Sequence, residues 1–218
     1  MTQLEKNKSI LQKYIPDSAI AIIAEWVFTF DFKLKIKKSR SSKYGDYRPP
    51  VKGFNHQITI NGDMNKYAFL VTLVHEIAHL SNWQKHKNKV KPHGEEWKKE
   101  YQELIKYFLN ETVFPQDIIV ALTNYMVNPA ASSCSDIELQ KALRKYDSRL
   151  RGVHIEELPD NSMFRIKNGR CFIKGKKLRK RYECKEVKTN RIYLFSPVSD
   201  VEPVNFKYLR EEINIFDV

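Results

Sequence analysis

Apolar and polar positions alternate with different periods in successive stretches of the chain. Over residues 2–30 the apolar residues recur at helical spacing in two blocks separated by Pro16, and Asp17-Ser18 stands where an N-cap of the second block, AIAIIAEWVF, is expected. From Phe32 the period shortens to two. FKLKIK alternates apolar residues with lysine, and HQITIN follows after SRSSKYGDYRPP, so two or three strands with one solvent face are predicted, the lysines of FKLKIK forming that wet face. Asn61-Gly62 signals a turn, and Asp63 is placed to cap what comes next. MNKYAFLVTLVHEIAHLSNWQKHK is too long and too continuously apolar for one strand and predicts a largely buried helix of about twenty residues.

A lysine-rich break at 85–91 and Pro92 end that segment. HGEEWKKEYQELIKYFLN then carries apolar residues at Trp97, Tyr101, Leu104, Ile105 and Phe108, an amphipathic helix ending near Asn110. Pro115 suits the first turn of a further helix, PQDIIVALTNYMVN, and Ser135 with Glu138 forms a capping box for another at about 136–146. Beyond residue 150 the chain reads as short strands joined at Asn168-Gly169, Gly175 and Thr189-Asn190. The expected division is therefore 1–150 and 151–218.

At 218 residues, 42% hydrophobic and 12% aromatic, the chain can build a packed core. No apolar run is long enough to span a bilayer, the best, Ala19 to Ala24, stopping at Glu25, and the N-terminus lacks the order of a secretory signal, so a cytoplasmic protein with no membrane partner is expected. Cys134, Cys171 and Cys184 are an odd count without CxxC spacing, which favours reduced thiols over a disulfide framework. Lys and Arg exceed Asp and Glu by 38 − 26 = 12, an imbalance that favours polyanionic partners, nucleic acid first.

The strongest chemical signal is His75-Glu76-Ile77-Ala78-His79. Histidines at i and i+4 project from one face of a helix and can share one Zn²⁺, while the glutamate between them can reach a water at the metal. The alternative is a pair of hydrogen-bonded core histidines. A catalytic zinc needs a third protein ligand. Asn82 and Lys85 stand where the extended pattern HExxHxxGxxH requires Gly and His, which excludes that class. His86 reads as a surface histidine, Glu96 and Glu100 are carboxylate candidates on the next helix, and His93, between Pro92 and Gly94, is the better candidate because an antiparallel return would bring it back. On its own, His93 has the alternative of an exposed N-terminal cap.

HEIAHL followed by PHGEEWKKEY resembles the SprT-like metallopeptidases, in which an HExxH helix is paired with a downstream histidine in an H-G-x-x-aromatic setting. SSKYGDYRPP, HQITIN and AFLVTLV resemble the segments that precede HExxH in that family, so the likeness covers roughly residues 15–110. It implies an α+β, zincin-like domain with a small antiparallel sheet, a Zn²⁺ cofactor held by His75, His79 and His93, Glu76 as catalytic general base, and hydrolysis of peptide bonds. Because the family includes Spartan, a DNA-dependent protease, it also implies DNA-associated protein substrates. Tyr44, Tyr47 and Arg48, from the strand region, are open candidates for stabilising the oxyanion.

The tail resembles a degenerate form of the zinc ribbon that ends many such proteins: RYECKEVKTNRIYLF keeps Cys184 but has Val187 where a paired cysteine would stand. A small β-rich unit held by packing, with Cys171 and Cys184 as ordinary thiols, is expected. Between Arg165 and Arg191 there are twelve Lys and Arg against two glutamates, with Phe172, Tyr182 and Tyr193 in or near the run, a pattern suited to a phosphate backbone or simply to a solvated surface. Trp26, Trp83 and Trp97 read as core. The competing readings are a basic nucleic-acid-binding or scaffold protein with a structural or weakly active zinc site, and a metal-dependent hydrolase of a non-protein amide.

Overall fold

The structure, a computed structural model, describes residues 3–40, 43–130, 136–148 and 152–204. The chain is α+β and forms two compact units, Met1–Asp147 and Ser148–Val218. Cys134 and Ser135 lie outside the described residues.

In the first unit, α1 (Gln3–Leu11) is followed by a 3₁₀ turn at Asp17–Ala19 that leads into α2 (Ile20–Thr29). The expected Asp17-Ser18 cap does not form. Pro16 occupies the cap position of the 3₁₀ turn with no side-chain bond, and the Ser18 hydroxyl donates instead to the Thr112 carbonyl. Three strands follow: β1 (Phe32–Lys37), β2 (Gly45–Arg48) and β3 (His56–Asn61), in the order β1-β3-β2.

The sheet is mixed rather than antiparallel. β2 runs antiparallel to β3, but β1 pairs with β3 in parallel, Phe32 opposite His56 and Ile36 opposite Ile60. The chain leaving β1 crosses to the far edge of β3 before returning, so alternation within each strand could not reveal the pairing. The same crossing makes β3 central, with Ile58, Thr59, Ile60 and Asn61 all buried. The single solvent face expected for these strands is therefore absent from β3, and only edge strand β1 exposes lysines, at Lys33 and Lys37.

α3 (Lys66–His86) is the axis of the unit, buried without a break from Phe69 to Ala78. Its N-cap is Asn65, not Asp63. The Asn65 carboxamide oxygen accepts the Tyr67 and Ala68 N–H groups at 3.0 and 2.9 Å, while its Nδ2 donates to the Leu143 carbonyl and to Asp147. α4 (Glu95–Lys106) turns Trp97, Tyr101 and Ile105 inward, and the Tyr101 hydroxyl donates to the Val71 carbonyl of α3 at 3.3 Å. α5 (Gln116–Met126) begins directly after Pro115, and α6 (Ile137–Arg144) is capped by Asp136, which accepts the Leu139 N–H.

The second unit is an antiparallel sheet in the order β4-β9-β5-β6-β7-β8: β4 (Val153–His154), β5 (Met163–Arg165), β6 (Cys171–Lys177), β7 (Tyr182–Glu186), β8 (Ile192–Phe195) and β9 (Asp200–Val204). Phe164, Phe172 and Cys184 are fully buried in it. Gly175 is not a turn. It lies inside β6 where the register with β7 slips between Lys174 and Lys177, and a Cβ there would stand 2.7 Å from the Glu183 carbonyl oxygen, so the bulge requires glycine's lack of a side chain. The chain reverses instead at Leu178–Arg181, closed by the Leu178 N–H donating to the Arg181 carbonyl.

Replacing Asn65 by Ala should cost about 1–2 kcal/mol, because two helix N–H groups and the Leu143 carbonyl lose their partner together, while Asp63→Ala should change stability by less than about 0.5 kcal/mol. Urea unfolding followed by tryptophan fluorescence measures this in the first unit, which holds all three tryptophans.

Candidate metal centre

The site begins with the register of α3. Its interior positions place His75 and His79 one turn apart on the face turned towards α4, with ring centroids 5.0 Å apart. α4 returns alongside α3, and the residue before its Gly94 cap is His93, whose ring lies 4.5 Å from His79 and 5.6 Å from His75. One ring nitrogen from each of the three histidines falls within 4.8 Å of the others, so His75, His79 and His93 together could hold a metal ion. His93 does not cap the helix, which carries no side-chain cap bond.

The other candidates for a third ligand are engaged elsewhere or stand apart. Glu100 accepts from the Ser81 hydroxyl at 2.6 Å and from Lys85 at 2.5 Å; burial works to raise its pKa, but these two bonds outweigh it and the carboxyl ends below its usual range. Glu96 and His86 are outside the histidine cluster. Trp97, read from the sequence as core, is fully buried and also forms the floor of the centre, its ring 4.7 Å from His75, 5.2 Å from His79 and 4.7 Å from His93.

Electrostatics hold the cluster in a ligating form. Burial, then the neighbouring rings, drives His75 well below the usual imidazole range; burial and then His93 take His79 to about 3; burial lowers His93. All three imidazoles are thus neutral at physiological pH. His75 Nδ1 and His93 Nε2 are buried without a hydrogen-bond partner, a costly state for a polar atom unless a ligand supplies one. Three neutral imidazoles, two of them with an unpartnered buried nitrogen, fit a metal ion, and as a donor set they suit zinc and its transition-metal neighbours rather than oxygen-seeking Mg²⁺ or Ca²⁺.

Glu76 is 7% exposed and shares a cleft of about 530 Å³ with the three histidines. Burial, reinforced by the negative charge of Asp46, pushes its carboxyl up to about 8, against a backbone hydrogen bond donated by Tyr47. Asp46 itself is drawn upward by burial but brought below its usual value overall by Lys43 and Arg48. β2 approaches Glu76 so closely that a Cβ on Gly45 would lie 2.8 Å from its Cγ and 2.9 Å from its Cδ. Gly45 is a site residue that the sequence reading missed: nothing in KYGDY distinguishes a glycine needed for close approach from one needed for a turn.

Of the three residues left open for the oxyanion, only Tyr47 lines the cleft; Tyr44 is 40% exposed, and Arg48 is exposed and bonded to Asp46 at 3.0 Å. The Tyr47 hydroxyl is 2.9 Å from Nδ1 of His56, a buried histidine of β3 that also escaped the sequence reading because HQITIN scans simply as a strand. In the second unit, burial raises the thiol pKa of Cys184, and Cys171 is partly buried at the start of β6. No helix among the described residues is long and apolar enough to cross a membrane.

Residues 21–117 match the SprT-like family. No curated protein and no solved structure matches the chain. The match covers β1 to β3, α3, α4 and all of the clustered residues, and it leaves the second unit outside.

The raised carboxyl of Glu76 predicts a pH signature in chelator-treated protein. The folded state keeps a proton that the unfolded chain releases above about pH 4.5, so this group's contribution is complete below that value and is lost as pH rises through about 8. Glu76→Gln should therefore become progressively more stable than wild type between pH 5 and 9, with a slope approaching ~1.4 kcal/mol per pH unit, the limit for one proton. Urea titrations of both proteins at five pH values measure the difference, and parallel curves would refute it.

Proposed function

From the premise that the chain belongs, through residues 21–117, to the SprT-like family, we propose that it is a zinc-dependent metallopeptidase with a zincin-like domain, His75, His79 and His93 as zinc ligands and Glu76 as general base. The observation that carries this reading is the convergence of three neutral imidazoles, two of them with an orphaned buried nitrogen, with a buried, proton-avid carboxylate in one open cleft. Zinc held there would supply the Lewis acidity that polarises a carbonyl and acidifies a water.

The protein's own groups do the rest. His75 and His79 stay unprotonated well below neutral pH and burial lowers His93 as well, so protons compete little for the ring nitrogens in the working range. Glu76, one residue from His75 on the same helix, accepts the proton of the attacking water and returns it to the departing amine; burial gives it the raised basicity that a general base needs near neutrality, and the Tyr47 N–H fixes its orientation. Asp46 reinforces that basicity from its place on β2. The cleft is bordered by Tyr47, Pro49, Val90 and Pro92, and the substrate's polypeptide segment would enter there.

The test is metal content and cleavage measured together. Wild type should hold about one zinc per chain and cut an unfolded protein such as casein; His75→Ala and His93→Ala should lose both metal and activity, and Glu76→Gln should keep zinc while losing at least about a hundredfold in rate. Full zinc occupancy after His93→Ala would remove the third ligand, and undiminished cleavage by Glu76→Gln would remove the base.

The second unit supports a nucleic-acid partner for this peptidase in the cytosol, where thiols stay reduced. Lys176, Lys177, Arg179, Lys180 and Arg181 are all exposed around the β6–β7 reversal, and Lys176 meets an acid, Glu183, only at 3.8 Å. This concentration of charge also favours the competing reading, a nucleic-acid-binding protein with a structural zinc. Changing Lys177, Arg179 and Arg181 to Glu should weaken binding of a single-stranded oligonucleotide and reduce its log–log salt slope by about 0.7 for each phosphate that is no longer neutralised, with cleavage of a DNA-free peptide unchanged. An unaltered slope would exclude the hairpin as the nucleic-acid contact. Loss of the fold on chelation, with no peptide cleaved, would favour the structural-zinc reading.

A further inference from the structure

Peptide hydrolysis needs a hydrogen-bond donor where negative charge develops on the carbonyl oxygen. The donors that border the cleft are not equally free to serve. Lys87 sits with its ammonium 4.2 Å above the Trp83 ring, and Arg48, outside the cleft, is tied to Asp46. Tyr47 is held differently. Its ring lies parallel to that of His79 at 6.5 Å and 6° and close to parallel with that of His56 at 5.9 Å and 19°, and its hydroxyl is bound to His56, so swinging away would break both ring contacts and that hydrogen bond.

His56 is equally constrained. It is 7% exposed, its backbone N–H is bound by Asn55, and the Trp83 ring meets it edge-on at 5.1 Å. Trp83 lies four residues beyond His79 on α3, so Trp83, His56, Tyr47 and His79 form one continuous row of rings from the helix, across β3 and β2, back to the centre.

Resting on the peptidase reading, we infer that Tyr47 donates the hydrogen bond that stabilises the oxyanion, and that His56 is its positioning residue, donating from Nδ1 to the tyrosine oxygen so that the phenol proton points into the cleft. A phenol has one proton. If it were spent on His56 nothing would remain for substrate, whereas an Nδ1–H tautomer of His56 leaves it free and polarises it further. In the step itself the water oxygen bonds to the carbonyl carbon, the π pair moves onto the carbonyl oxygen, and Glu76 takes the water proton. Tyr47 keeps its own proton and contributes a hydrogen bond alone.

Tyr47→Phe should lower kcat about a hundredfold with KM and zinc content unchanged. His56→Asn, which keeps an amide N–H near the Nδ1 position, should lose less than tenfold; His56→Gln, which moves it towards Nε2, should lose as much as Tyr47→Phe; and the double variant Tyr47→Phe/His56→Gln should be no worse than either. A readout independent of turnover is the ¹⁵N spectrum of chelator-treated protein, in which His56 Nδ1 should be of the protonated, pyrrole type. An unprotonated Nδ1, or a Tyr47→Phe variant with wild-type kcat, overturns the inference. If Tyr47→Phe does not fold, the His56 variants and the spectrum decide. Wild-type protein that binds zinc but cleaves no peptide sinks the peptidase reading and this inference with it, whereas an active wild type with a silent Tyr47→Phe sinks the inference alone.

Discussion

Desolvation of the central helix governs this structure. α3 is buried from Phe69 to Ala78 without interruption, yet it carries His75 and Glu76 within that run and His79 just beyond it. Charged forms of these side chains would be strongly disfavoured among Leu73, Val74, Ile77 and Leu80, so the imidazoles are neutral and the carboxyl is drawn towards its protonated form. The same burial that would make the residues a liability in an inert core leaves nitrogen lone pairs free for a metal and a carboxyl whose affinity for protons extends into the neutral range.

The surroundings answer to that constraint. Trp97 walls the three imidazoles from the interior and fixes their separation without offering a hydrogen bond that would compete with a metal. Gly45 lets β2 lie against Glu76, and the next strand residues supply one stabilising N–H, from Tyr47, and one destabilising charge, from Asp46. Strand order matters here. Because β3 is central and β2 lies at an edge, β2 can border the cleft while β3 carries His56 beneath it.

The second unit obeys different physics. Its core is small and aromatic, with Phe164 and Phe172 stacked at 5.7 Å and Phe195 set edge-on to both, and its charge is displaced to the hairpin between β6 and β7. Arg170 lies over the Phe172 and Tyr193 rings and donates to Glu186, which fastens β6 to the end of β7 by a partly buried ion pair rather than by cysteine chemistry.

Much of this was legible in the sequence because it is local. The buried length of α3, the amphipathic face of α4, the start of α5 after Pro115 and the i, i+4 relation of His75 and His79 follow from periodicity and proline placement alone. Caps were less legible, since Asp63 and Asn65 have the same chemistry and only the packing of Asn65 against Leu143 and Asp147 selects between them. What tertiary structure alone decided is every relation across the sheet and between helices. Parallel pairing of β1 with β3 depends on a crossover that leaves no trace in alternation; the meeting of His93 with His75 and His79 depends on how α4 packs on α3; and Gly45, His56 and Tyr47 matter because the strands bring them within a few ångströms of α3. Side-chain spacing along one element is fixed by backbone geometry, whereas distance between elements is set by packing that no single segment encodes.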